Sequence, residues 1–316
     1  MKQDALLLEL PLSWARGPQK TTHVQSMPML FRRTHWLSLA EIPETRSFNS
    51  IIDETLGVNK RIIIRGCTPL LAKQLEAKGF DTMPMGQEAL FDLDENLPYK
   101  KSTRELIRRG QRQGHLKKIY LNAETLQKLQ HLKNNSPHGR EPQLRHLFWG
   151  DPLELSPAYI WVDPAGNWLA ALTISHSSKQ KAHTELMVRH RHAGVGCMEA
   201  LVAATAASLK EDGFRFFSLG EVPFISANRK GKNFRDSLVS GAGKMMHFAY
   251  NPQSLYRFKE KFSPTWQDLY ICGYPRISLS HLWAIAWHSR YLHLVGHSLR
   301  SSGLTLLLNF AFMAYS

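Results

Sequence analysis

The sequence predicts a mixed fold of the α+β (α/β mixed) class, with central sheets flanked by helices. Three observations carry this. Short β-rich apolar runs alternate with helix-like stretches between residues 61 and 275. The second half of the chain reads β-β-β-loop-α-β-α-β, an order that layers helices on a sheet. Finally, 43% of the 316 residues are hydrophobic, enough to bury a real core and too many for a disordered chain. That length is long for one ordinary domain and comfortable for two.

The elements follow in chain order. Residues 1–50 give no clear period, because Pro28, Pro43 and scattered polar residues break it. Residues 61–65 are a short apolar run and predict a strand. Residues 69–78 predict a helix whose apolar positions are Leu70, Leu71, Leu75 and Ala77, with Gly79 at the stop. Residues 89–93 predict another strand. Ser102 and Glu105 have the spacing of a capping box, which starts a helix there. Arg104, Arg108 and Arg112 then share one face, and Arg104 in the first turn opposes the helix dipole. Residues 134–142 are polar and turn-rich. Residues 158–162 and 168–175 predict paired strands across the turn from Asp163 to Gly166. Residues 183–190 add a strand, 197–211 a helix, 215–219 a strand, 254–262 a helix and 269–273 a last strand.

Charge and cysteine content narrow the setting. Lys and Arg number 40 against 26 Asp and Glu, a formal net charge of +14. A surplus of that size favours polyanions: RNA, DNA or anionic lipid headgroups. Eight of the basic residues lie between Lys100 and Lys118, where Glu105 is the one acid. The three cysteines, Cys67, Cys197 and Cys272, are odd in number and far apart, so neither a disulfide framework nor a metal site is expected. The reading is a reducing, cytosolic environment. The first 14 residues are broken by Asp4 and Glu9 and do not read as a signal peptide. Residues 304–315 are too short to span a bilayer. The expectation is a soluble or peripheral protein.

Two segments carry candidate chemistry. Arg191 to Gly196 forms an R-x-x-G-x-G loop between a strand and a helix. Glycine lets backbone approach a ligand closely, and the following helix offers unpaired N–H groups to a phosphate. An ordinary strand-to-helix turn would look the same without that context. The second segment runs from Asn251 to Trp266 and on to Tyr270 and Pro275. Its Lys259 and Lys261 can hold a phosphate or stabilise developing negative charge, or else snorkel from a surface helix. The 15 histidines show no ligand spacing, so no metal is expected. From Tyr270 to Ser316 there is no Asp or Glu, while Arg276, Arg290 and Arg300 are present, and Trp283, Trp287 and Tyr291 recur every four residues. Such a stripe suits a helix lying in a membrane interface, or one packing on a core or a second subunit.

The glycine loop and the element order resemble the GNAT superfamily. The pattern F-K-x-K-F-x-P-x-W at Phe258, Lys259, Lys261, Phe262, Pro264 and Trp266, followed by Tyr270 and Tyr274-Pro275, is similar to the end of the catalytic domain of the aminoacyl-phosphatidylglycerol synthases. Residues 86–93, the basic helix, Glu185 to Met187, Met198 to Leu201, and Ser218 to Gly220 with Pro223 resemble further family segments in the same order. The family's acid before Leu-Met is Asp where this chain has Glu185, and its Arg after Met is replaced by Val188, with Arg189 one place later. In a strand, that shift turns the side chain to the other face.

The resemblance implies tandem GNAT-like lobes: residues 1–145, ending in the basic helix; 146–275, the catalytic lobe; and an amphipathic tail, 276–316. It also implies an acyltransferase with aminoacyl-tRNA as donor, a lipid hydroxyl such as that of phosphatidylglycerol as acceptor, and no cofactor. The expected place is the inner face of the membrane, as a peripheral protein. The candidate catalytic residues are Glu185, Lys259, Lys261 and Tyr256. Candidate substrate contacts are Arg104, Arg108, Arg112, Arg189, Arg191, Gly194, Gly196 and Trp266. An N-acyltransferase using a CoA thioester, with Tyr256 as general acid, and a non-catalytic module binding anionic lipid or RNA are the other readings.

Overall fold

A computed structural model of the chain describes residues 10–12, 14–17, 21–29, 34–95, 97, 99–150, 156–225 and 252–298. Asn251, Arg300 and residues 304–315 lie outside these. The described elements are β1 (Trp14–Gly17), β2 (His23–Met29), β3 (Thr34–Pro43), α1 (Phe48–Val58), β4 (Ile62–Cys67), α2 (Pro69–Ala77), β5 (Asp81–Asp92), α3 (Lys101–Gln111), β6 (His115–Tyr120), α4 (Ala123–Asn134), β7 (Pro157–Val162), β8 (Trp168–His176), β9 (Lys181–Arg189), α5 (Cys197–Glu211), β10 (Phe216–Pro223), α6 (Pro252–Glu260), β11 (Thr265–Tyr274) and α7 (Leu279–His288). A further helical run covers 291–298.

The mixed class expected from sequence holds. All eleven strands join one sheet, in the order β1-β3-β4-β11-β5-β10-β9-β8-β7-β6, with β2 added on β3. Two exchanges stitch the halves of the chain together. Strand β11, late in sequence, inserts antiparallel between β4 and β5. Strand β6 leaves the early half and closes the far edge against β7. Sequence halves and sheet halves therefore do not coincide. The exposed edge strand β6 carries Lys117 and Lys118, which blunt it against further pairing.

The helices cover the sheet through apolar faces. Ala200, Leu201 and Leu209 of α5 pack on Phe91, Tyr159, Leu172 and Phe217, with Phe262 behind. Ile51 and Ile52 of α1 and Leu71 and Leu75 of α2 pack on Trp14, Ile42, Ile62 and Ile64. Leu129 and Leu132 of α4 meet Ile160 and Val188. Ile285 of α7 packs with Trp36, Ile63 and Ile271, so the described part of the tail is built onto the sheet.

Several local expectations need correction. Residues 23–43, unreadable by period, hold two paired strands, with Pro28 at an edge-strand position in β2. The capping box at Ser102 does not form. Helix α3 starts earlier, capped from Lys100 without a side-chain bond, so Ser102 lies inside its first turn and Glu105 turns to Arg109 (3.1 Å). Capping boxes form instead at Asn122 and Ser278.

Candidate active site

The site begins where two parallel strands part. Strands β9 and β10 pair over only three residues, ending at His183 and Ser218. Beyond that point β9 stays bonded to β8 as far as Arg189, while β10 follows β5 through an irregularity between Ser218 and Glu221. Gly220 takes φ +79° at that irregularity, a backbone state that costs glycine nothing. The edges of β9 and β10 diverge, and the wedge between them opens into a cavity.

That cavity has a volume of about 450 Å³. Its walls are apolar: Met83 and Met85 from β5, Leu144 and Phe148 from the loop after α4, and Leu282 and Ile285 from α7. Its floor is charged, with Arg65, Glu185, Glu221 and Lys259. Arg65 and Glu221 are a buried ion pair. Lys259 is 2% exposed, and its Nζ donates to the Glu221 carbonyl at 2.9 Å. Burial pulls the Lys259 amine down to about 7; Glu221 and Glu88 resist without cancelling the effect. The amine can therefore give up its proton far more readily than an exposed lysine, beside an apolar space.

Glu185 is tightly engaged. Its Oε2 accepts from Trp149 N (2.8 Å), Ser175 Oγ donates to its Oε1, and His183 Nε2 lies 2.8 Å from that same oxygen. It ties the loop carrying Phe148 to β8 and β9, and so shapes the cavity wall. His183 Nδ1 has no partner among the described residues.

A second cavity, of about 470 Å³, lies on the glycine-loop side. Arg189, Gly194, Gly196, Glu199 and Lys261 line it, and Gln143, Leu186 and Met187 line both cavities. Lys261 pairs with Glu199 (2.8 Å). The two lysines of the motif therefore serve different cavities. Val188 is buried against α4 while Arg189 is exposed, so the one-place shift does turn the arginine to the other face. Arg191 donates to Asn135 O (3.2 Å).

The glycines of the loop answer to helix α3. A Cβ on Gly196, at φ +93°, would lie 2.1 Å from Leu106 O, and one on Gly194 would lie 2.6 Å from Gln113 Oε1. Gly110 of α3 is matched to them: its Cβ would strike Gly196 O at 2.2 Å. Arg104, Arg108 and Arg112 are exposed on α3, whose C-terminal end abuts this loop. Among the described residues Arg104 and Arg108 have no acidic partner, and Arg112 lies 4.0 Å from Glu105.

Tyr256 and Trp266 stand apart from both cavities. Their rings stack at 4.7 Å, and Trp266 Nε1 donates to Glu260 (2.8 Å). They clamp α6 onto β11, which fixes Lys259 from behind. The residues that sequence reading passed over are Arg65, Glu221, His183 and the loop from Gln143 to Phe148. The one available signal was Arg65, a charge set directly after three isoleucines.

Residues 45–273 match the family model described as the C-terminal domain of phosphatidylglycerol lysyltransferase. The chain belongs to this family. It is accordingly an acyltransferase of the lipid-aminoacylating type. L-PGS from Bacillus licheniformis superposes with a TM-score of 0.67 at 21% identity, covering 87% of this chain and 86% of that one. The C-terminal domain of a lysylphosphatidylglycerol synthetase from Agrobacterium fabrum gives 0.64 at 20% identity, covering 85% and 84%. FemX gives 0.50 at 10% identity over 81% and 86%. At these identities the superpositions speak for the fold alone. No curated protein matches the sequence. Among the described residues of this lysyltransferase-family chain, no helix is long and apolar enough to cross a membrane, and no cluster of His, Cys, Asp and Glu could hold a metal.

Proposed function

We propose that the protein moves an amino acid from aminoacyl-tRNA onto the hydroxyl of a phosphatidylglycerol-type lipid, with the reaction centred at the parting of β9 and β10. The observation that carries this is Lys259: a buried, easily deprotonated amine on the floor of an apolar cavity that meets a basic one at Leu186 and Met187. The apolar cavity suits the glycerol end of a lipid, with acyl chains against Met83, Met85 and Leu282. The basic cavity, with exposed Arg104, Arg108 and Arg112 on the neighbouring helix, suits the acceptor stem of a tRNA.

The chemistry then needs little else. Neutral Lys259 takes the proton of the lipid hydroxyl, and the oxygen attacks the ester carbon of the aminoacyl group. The tetrahedral intermediate collapses, the ribose oxygen leaves, and the Lys259 ammonium returns the proton to it. The ester is already activated, so holding hydroxyl and carbonyl together supplies most of the rate. Glu185 acts here as a positioning residue, because its oxygens are taken up by Trp149, Ser175 and His183. Lys261 and Arg189 contact the donor side, with Arg191, Gly194 and Gly196 shaping that wall.

The test is incubation with charged tRNA and phosphatidylglycerol, followed by lipid mass spectrometry. A lipid heavier by one amino-acid residue, lost with Lys259→Met, is the expected result. Transfer from a CoA thioester, or full activity in Lys259→Met, would overturn the reading.

A further inference from the structure

The face of α7 that points away from the core is unlike the rest of the surface. Leu279, Trp283 and Trp287 are 52%, 56% and 54% exposed. Their spacing of four places them on one stripe. Only six large hydrophobic side chains are so exposed among the described residues, and three of them are here. The opposite face of the same helix is committed: Ile285 packs on Trp36 and Ile271, and Leu282, Ala286 and Ser289 line the apolar cavity. Trp283 belongs to both sets, exposed and lining the cavity, so it stands at the cavity's rim.

We propose that this stripe is a membrane-docking surface, which seats the rim of the cavity on an anionic bilayer so that a lipid headgroup enters without leaving the membrane. This rests on the lipid acceptor proposed above. The charge pattern fits that occupant. From Leu269 to Ser316 the chain has no acidic residue, and Arg276 is exposed just before α7. Tryptophan is favoured at the headgroup level, where its apolar ring and N–H are both satisfied. Arginine nearby adds attraction to anionic lipid. Continuity with the cavity is the second argument: the stripe is centred on Trp283, the residue that borders the lipid space, which a stripe that only held a second protein would not require.

Flotation of the full chain with vesicles tests the idea, comparing phosphatidylcholine alone with phosphatidylcholine containing phosphatidylglycerol. The variant is Leu279→Glu with Trp287→Glu, two exposed positions that do not line the cavity. The expected result is at least a tenfold loss of flotation with phosphatidylglycerol vesicles and a comparable loss of transfer to vesicle lipid. Transfer to a short-chain, water-dispersed phosphatidylglycerol stays near the parent's. Quenching of tryptophan fluorescence in the unaltered chain by brominated phosphatidylglycerol gives a readout independent of the variant. Unchanged flotation of the variant, absent quenching, or a parent dimer that the variant turns into a monomer with vesicle binding intact would each overturn the docking surface. Should neither protein transfer to dispersed lipid while flotation is still lost in the variant, the catalytic reading fails and the docking surface stands.

Discussion

Lys259 and Gly196 show how single residues are decided by their surroundings. A lysine becomes a base near neutrality only where water is excluded, and Lys259 is buried with its amine brought to about 7. Its charged form dominates below that value and its neutral form above. We therefore expect kcat/KM to rise with pH through about 7 and level off above it. Lys259→Arg keeps a positive charge at all these pH values, so it should lose the rise and most of the activity, with KM for lipid little changed. Gly196 makes the converse point. Two costs combine there for any side chain: φ +93° and a contact of 2.1 Å to Leu106 O. Gly166 has φ +88° and open space around it. Gly196→Ala should lose about 2–4 kcal/mol, and Gly166→Ala about 1 kcal/mol. Denaturant titration of the two variants side by side checks this; equal losses would mean that α3 does not hold the loop. The motif made Gly196 look like a phosphate cradle. Its φ and its clash with another helix were invisible in the chain, because they depend on a residue 90 places earlier in sequence.

At the scale of elements, α3 is the informative one. Its basic face was legible as a spacing of four, and its exposure agrees. What it packs against was not legible, because α3 and α5 meet through Gly110 and Gly196, whose small size carries no hydrophobic signal. If the face contacts RNA phosphates, each of Arg104→Ala, Arg108→Ala and Arg112→Ala should weaken tRNA binding. Each should also lower the slope of log K against log salt by roughly 0.7–1. Filter binding between low and moderate salt measures this, and unchanged slopes in all three variants would place the RNA elsewhere. Strand β9 shows the same division. Its alternation was readable, and with it the turning of Arg189 away from Val188. Its separation from β10 after His183 was not, since it arises from β10 following β5 through the irregularity near Gly220.

For the whole molecule, the buried charges set how stability depends on pH. Burial works against the Glu88 carboxylate, but Lys181, Ser218 and His183 outweigh it and hold the group below its ordinary value. A carboxyl depressed in the folded state stabilises above its unfolded value, and that contribution is lost as pH falls through the folded one. Lys259 acts over a different window. Its folded value of about 7 lies below the ordinary 10.5, so between these the unfolded chain binds the extra proton and stability rises with pH. The thermal midpoint should therefore climb from pH 7 towards pH 9 and fall steeply in acid. Lys259→Met should flatten the alkaline limb and raise the midpoint by several degrees at pH 6. Melting curves across that range test both limbs, and an unchanged alkaline limb in the variant would show that Lys259 is not the group responsible.

The mixed fold class, the second-half strand and helix order, the family motif around Lys259, and the acid-free tail with its tryptophan stripe were all legible in the chain before folding. These are local properties of spacing and composition, and they survive folding unchanged. Which residues share a cavity emerged with the packing. It sent Lys259 and Lys261, two places apart, to different cavities, joined Arg65 to Glu221 across 156 positions, and removed Tyr256 and Trp266 from the site. It also inserted β11 between β4 and β5. The reason is physical: strand exchange and the parting of β9 from β10 depend on contacts between distant segments, and no local pattern of apolar and polar residues encodes which distant edge a strand will meet.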